Sequence, residues 1–292
     1  MWSTPAHLHD LDDEEHFTAQ HMLEYVLEST GWAPADVQVS DVVVGTFLGR
    51  TWRRLAQEAH AERVERWILP AETTTLFKGT AGDRPVTVVK FPVGAPATAM
   101  VMEVLIACGA RRFLILGAAG SLQERAPIGS LVLPQAVLRE DGASFHYLPP
   151  EAVPAPDPSL TAKVQAACER RGITPLLGTN WSTDAIFREF KKKVEHLRQS
   201  GVLCVEMEAA TIFSVAAVRG VEASLLLAIS DELFRPWAPA FLHDLYRQRV
   251  RDAQQILLEV AAELPVPGPA SANGPLGTGD PAHTLPLGDG QG

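Results

Sequence analysis

Hydrophobic positions along this chain fall into two alternating rhythms. Short, continuous aliphatic runs are separated by longer stretches in which apolar residues recur about every three to four positions. The runs at 41–45, 86–91, 113–116, 130–133, 174–178 and 223–229 read as buried strands. The stretches 52–66, 97–108, 157–170, 187–200, 208–219 and 240–264 carry the helical period. Alternation of this kind predicts an α/β fold, a single domain with a central mixed twisted β-sheet flanked by helices. Residues 1–38 precede the first core strand and read as an N-terminal helical extension. Within it, Phe17, Met22, Leu23, Val26 and Leu27 have helical spacing, which predicts a helix packed on the core or on another subunit. The domain proper then covers 39–264. Residues 265–292 hold six Pro and seven Gly and almost no large apolar side chains, so they predict a disordered tail.

Composition narrows the class. Hydrophobic residues make up 46% of the 292, enough for a large core. The apolar stretches are shorter and more interrupted than the roughly 20 residues that span a bilayer. The acidic N-terminus lacks the positive-then-apolar order of a secretory signal. A cytoplasmic protein with no membrane partner is expected. The net charge of −10 argues against a nucleic-acid binder, which would carry a basic face, but leaves room for a small anion held locally. Cys108, Cys168 and Cys204 have no metal-like spacing and read as buried, inert thiols. No ligand cluster or dinucleotide fingerprint is present, so neither a metal nor an organic cofactor is expected.

Acids within apolar surroundings are the main chemical signal. Glu206-Met207-Glu208 lies between Cys204-Val205 and Ala209-Ala210, and Asp231-Glu232 ends the run 225–229. Carboxylates are costly in such places unless paired, hydrogen-bonded or used. A strand presenting an acid at its carboxyl end matches the place where open α/β sheets bind ligands. The bland alternative makes Glu206 and Glu208 surface charges at a helix N-terminus and Asp231 a cap for a turn. If the segment is helical, residues two apart diverge, and Glu206 does not share a face with Glu208.

VEMEAA at 205–210 and ISDE at 229–232 resemble the nucleoside phosphorylase superfamily, which includes purine nucleoside phosphorylases, uridine phosphorylases and related nucleosidases. Gly94-Ala95-Pro96 resembles its GGPS-type loop and Gly117-Ala118-Ala119-Gly120 its GT-x-G loop. Residues 141–147 (DGASFHY) resemble its DGAS-x-H segment, and Trp181-Ser182-Thr183-Asp184 its base-site loop. The matches run in family order from about residue 41 to 264.

The resemblance implies cleavage of a nucleoside's N-glycosidic bond, with no cofactor and with phosphate as co-substrate. Glu208 and Asp231 are then the catalytic pair. Glu208 takes the ribose hydroxyls, for which a carboxylate's acceptor positions are suited. Met207 packs on the sugar, and His146 is a further ribose contact or a structural histidine. Asp231 faces the base and, with a raised pKa, can donate a proton near N7 of a purine. Phe187 and Trp181 are rivals for stacking on the base, and either can instead be core. Ser230-Asp231 leans towards purines, as does the replacement of the pyrimidine members' Gln and Arg by Arg188 and Glu189 in another arrangement.

The nucleophile's site departs from the family. Gly45, Arg50, Gly117, Ala118 and Glu72 fall at the phosphate or water site. The family's phosphate-binding Arg and Ser/Thr are Ile115 and Ala118 here, and Glu72 aligns with an arginine that relatives donate across a subunit interface. Arg50, Arg53 or Arg54 can substitute. Hydrolysis by a nucleosidase, with Glu72 activating water, is the alternative, and a nucleoside-binding module with weak catalysis is a second. A homo-oligomer is expected from the resemblance, with His7 or His9 reaching a neighbour's 5′-hydroxyl.

Overall fold

Among the described residues of this computed structural model, 14–70 and 73–266, ten strands form one mixed sheet. They are β1 (Val42–Thr46), β2 (Glu62–Arg63), β3 (Thr75–Ala81), β4 (Arg84–Lys90), β5 (Arg112–Ser121), β6 (Leu131–Glu140), β7 (Leu176–Thr183), β8 (Cys204–Glu206), β9 (Glu222–Glu232) and β10 (Ala238–Pro239). The helices are α1 (Ala19–Thr30), α2 (Pro34–Val37), α3 (Thr51–Glu58), α4 (Ala95–Ala107), α5 (Pro158–Arg170), α6 (Lys191–Gln199), α7 (Ala209–Arg219) and α8 (Asp244–Glu263). The α/β class and the helix-flanked mixed sheet agree with the sequence pattern.

The sheet is organised around β5. That strand pairs in parallel with β1 and β9 and antiparallel with β8. β9 also pairs β6, β6 pairs β7, and β7 pairs β8. Five strands therefore close into a ring, and β1, β4, β3 and β2 continue from it as a sheet. Both faces are covered, which is why the strands read as unbroken apolar runs. Phe113 and Ile115 of β5 face the core under α4 and α7, while Leu114 and Leu116 face the core under α3, α5 and α8. α1 adds Leu23 to the first of these cores, so the N-terminal helix packs on the domain.

Local chemistry sets the boundaries that matter for function. Gly94, at φ 104°, caps α4, and Pro96 stands in its first turn. Asp157 caps α5 by accepting a hydrogen bond from the Leu160 amide at 2.6 Å. Gly220, in the left-handed region, ends α7.

Several expected boundaries move. The helix foreseen over 52–66 stops at Glu58, because His60 turns the chain at φ 47° and Glu62–Arg63 pair with β3 as a strand. The helix foreseen over 187–200 begins at Lys191, and the one over 240–264 begins at Asp244. The strand foreseen over 174–178 runs on through Thr183, carrying Trp181 with it. β3 and β8 were not foreseen. β3 mixes polar and apolar residues without a regular period and contains a glycine, and β8 has three residues. No described helix is long and apolar enough to cross a membrane. The expected tail beyond Val266 lies outside the described residues, as do His7, His9 and Glu72.

Gly45 of β1 has no room for a side chain. A Cβ there would overlap the Phe91 ring, which packs at 5.6 Å against Phe47. Gly45→Val should overpack this wall and lower stability by about 1–3 kcal/mol. The urea midpoint reads this out; an unchanged midpoint would show that the wall is looser than the packing indicates.

Candidate active site

A cleft of about 500 Å³ opens where the carboxyl ends of β5 and β9 meet the turn from β8 into α7. Such strand ends are the usual ligand position in α/β folds. Ala118, Ala119 and Gly120 line it from β5, and Ser230 and Asp231 from β9. Adjacent strand residues ordinarily face opposite ways. Here the register slips, with Ala119 opposite Ile229 but Gly120 opposite Asp231, so Ser230 is an inserted residue. This bulge brings both Ser230 and Asp231 to the cleft, as bulges beside binding sites do.

Val205, Glu206, Met207 and Glu208 form the opposite wall. Glu206 ends β8 and Glu208 is the N-cap residue of α7, so both acids belong to a strand-to-helix turn and share the cleft. The divergence expected of a continuous helix does not arise. Nor are they surface charges, since each is only 6% exposed. Glu206 accepts hydrogen bonds from the amides of Glu208 and Ala209, both at 2.7 Å, from Asn180 Nδ2 at 2.8 Å, and from the Ser182 hydroxyl. Glu208 Oε1 accepts from the Gly94 amide at 2.7 Å, at the start of α4. The backbone of Met207 is a second hydrogen-bond donor to this carboxyl.

Burial pushes both carboxyls above the ordinary range, and for Glu208 the neighbouring Glu206 adds to the rise. The donors on Glu206 offset part of its desolvation. Glu208 has fewer donors than Glu206 to offset its burial.

Asp231 is differently placed. Its Oδ1 accepts from the Ser230 hydroxyl at 2.7 Å and its Oδ2 from Trp237 Nε1 at 2.9 Å. Glu189 also lines the cleft, from the link between a short 3₁₀ turn (Ile186–Arg188) and α6. Phe47, Leu48, Val93, Ile186, Phe187, Trp237 and Phe241 make the remaining walls mostly apolar.

The residues foreseen for this site divide clearly. Glu208, Asp231, Met207, Phe187 and Ala118 line the cleft together. Trp181 does not. It is fully buried in a small core with Leu122, Val194 and Leu197, and its indole donates to Glu140. The extension of β7 through Thr183 turns this ring inwards, which corrects its assignment as a base contact. His146 lines a separate cavity with Glu14, Glu15, Glu103 and Arg219, so it is not a ribose contact of this cleft. Its segment acts structurally: Asp141 accepts from the Ser144 amide and hydroxyl and from Thr211 of α7. Gly45 and Gly117 stand one layer behind the wall, packed on Phe91 and Leu227. Arg50 is exposed at the start of α3 and outside the lining, and Ile115 is buried in the core.

Phe47, Trp237 and Phe241 are cleft residues that the sequence did not single out, and Glu206 was noted as a costly acid without being assigned to the site. The signal for Glu206 was its place in an apolar stretch. For Trp237 and Phe241 it was aromatics in the proline-bearing segment that follows Asp231.

The sequence profile described as "Phosphorylase superfamily" matches residues 35–262. Uridine phosphorylase of Escherichia coli strain K12 is 28% identical over 204 residues, covering 65% of this chain and 80% of that protein. Uridine phosphorylase of Thermococcus kodakarensis is 32% identical over 169 residues, 53% of this chain and 60% of that protein. Guanosine phosphorylase of Halorubrum lacusprofundi is 29% identical over 147 residues, 50% of this chain and 61% of that protein. The profile spans most of the chain and takes in every strand of the cleft, so this protein belongs to the phosphorylase superfamily and is an enzyme of the nucleoside phosphorylase type that its motifs resemble.

Proposed function

We propose that this enzyme cleaves the N-glycosidic bond of a nucleoside, purines preferred to uridine, and transfers the ribosyl group to phosphate. The observation that carries this reading is the meeting of Glu208 and Asp231 in one cleft, where both carboxyls line the cavity. The ribose 2′- and 3′-hydroxyls donate to Glu208, Met207 packs beneath the sugar, and Asp231 accepts from the base edge. Phe187, 97% exposed, is free to stack on the base. Holding both halves of the nucleoside fixes the C1′–N bond in line for attack, the positioning term of catalysis. Relatives named for uridine and for guanosine support a nucleoside substrate. The preference for purines rests on Asp231 after Ser230.

One observation favours a second reading, attack by water. Four carboxyls line the cleft (Glu189, Glu206, Glu208 and Asp231), and no Lys, Arg or His among the described residues does. A phosphate anion needs cationic or amide donors. Each missing contact of that kind costs about 3–4 kcal/mol in the transition state.

Inosine, guanosine, adenosine and uridine, each with and without phosphate, separate the readings. Base release that requires phosphate identifies phosphorolysis, and equal release without it identifies hydrolysis. Ligand-induced thermal stabilisation without release identifies a binding module and overturns the enzymatic proposal. Asp231→Ala should lower kcat/KM by at least about 10²-fold, the scale of a lost electrostatic contact; an active variant would remove Asp231 from the site.

Glu208→Gln tests stability and function together. With its folded-state pKa raised above the ordinary 4.5, Glu208 binds more proton in the native than in the unfolded chain. Stability is therefore lost as pH climbs from about 4.5 through the raised value. The glutamine variant should lack this loss and melt about 2–4 °C above wild type at pH 8, the shift that ~1 kcal/mol produces at this size. At pH 5 the difference should shrink. The same variant should release no base, because it cannot offer a carboxylate to the diol. Lower stability at pH 8 with activity retained would contradict both halves.

A further inference from the structure

When the C1′–N bond breaks, its electron pair goes to the base, and that charge has to be met by a proton or a hydrogen bond. We propose that Glu189 is the catalytic acid of this cleft, giving its carboxyl proton to the departing base while Asp231 holds the base edge as an acceptor. The assignment rests on the nucleoside-cleaving reading above.

Both acids line the same cleft, but their surroundings differ. Each oxygen of Asp231 already carries a donor, Ser230 Oγ on one and Trp237 Nε1 on the other. Asp231 is thus arranged to accept. Glu189 takes no hydrogen bond from the described residues, which leaves its carboxyl free to turn to a ligand. Its orientation also stands out. Phe190, next in the chain, is 51% exposed and outside the cleft lining, whereas Glu189 lines the cleft beside Phe187. An apolar side chain outside and a carboxyl inside reverse the usual preference, and the reversal makes sense if the carboxyl is used. Arg188, the adjacent cation, stacks on the Phe190 ring at 4.5 Å and is not part of the cleft lining.

The electrostatics agree. Burial first, then the carboxylates of Asp231 and Glu140, push Glu189 up to about 7, against the opposing pull of the Lys193 ammonium. Lys193 is itself engaged with Glu140. An acid in this range keeps a protonated fraction at neutral pH and gives that proton up readily.

The step balances. The C1′–N bond breaks and its pair goes to the base. A proton passes from Glu189 to a ring nitrogen of the base, and an oxygen of phosphate or water bonds to C1′. The proton lost by that nucleophile returns to Glu189 through solvent, so no further reactant is needed.

The test is the dependence on leaving group in wild type and Glu189→Gln. Inosine, guanosine, adenosine and uridine are compared with 7-methylguanosine, whose base departs neutral without a proton, and with 5-fluorouridine, whose base is the better leaving anion. The variant should lose about 10²-fold or more in kcat on the best natural nucleoside and stay within about threefold on its activated counterpart. Retained turnover of the activated substrate also shows that the variant is folded. An equal loss on both, or no loss on either, overturns the role of Glu189 and leaves the nucleoside-cleaving reading intact. Wild-type protein that releases base from none of these substrates overturns that reading and this assignment with it.

Discussion

The buried carboxylate of Glu206 is the constraint on which the site depends. It ends β8, accepts the first free amides of α7, and is held from β7 by Asn180 and Ser182. The first amides of a helix have no partner within the helix, and a negative charge there also meets the positive end of the helix dipole. One side chain therefore joins a strand of the ring to the start of a helix and fixes the angle between them. Hydrogen bonds to a charged group contribute about 1.5–3 kcal/mol each, and an unpaired buried acid would cost more than that. Glu208 inherits its position from this joint. It sits two residues on, meets the Gly94 amide at the start of α4, and lines the cleft. The ligand-facing acid is thus placed by backbone groups from two helices, a more rigid support than other side chains would give.

The cleft combines this acidic floor with a strongly apolar rim. Val93, Ile186, Phe187, Trp237 and Phe241 line it and are substantially exposed. The sum suits a flat, neutral heterocycle attached to a polyol: aromatic side chains for the ring, carboxyls for hydroxyl and N–H donors. It suits a free anion poorly. If phosphate is the nucleophile, its positive contacts come from a second subunit or from a rearranged Arg50. The family's chemistry and this chain's charge distribution therefore pull in different directions, and the identity of the nucleophile is where they meet.

How much was legible in the sequence follows from where each residue's role is written. Buried parallel strands announce themselves as aliphatic runs, so β1, β4, β5 and β9 were readable, and with them the carboxyl end that carries Asp231. The Glu208 signal was readable because an acid among apolar residues is costly on any backbone. Trp181 was misread because the strand β7 outlasts its aliphatic run, and a strand's facing depends on register that spacing alone does not reveal. His146 was misassigned because a match of motif does not say which side of α7 the histidine faces. Ring closure was invisible too. It rests on β8, a strand of three residues, and on pairings between β5 and β9 that are distant in sequence. Glu189 was noted only as a departure from a pattern, since its inward turn depends on the 3₁₀ step before α6.

The central claim, that Glu208 takes the sugar's vicinal hydroxyls, is tested most directly by calorimetry. A non-cleavable C-nucleoside and its 2′,3′-dideoxy counterpart would be titrated at pH 7 in two buffers of different ionisation enthalpy. Glu208 gives up its proton when the diol binds, so the intact C-nucleoside should bind with net proton release, and the dideoxy compound should bind far more weakly and without it. Equal affinity and equal proton release for the two would contradict the account.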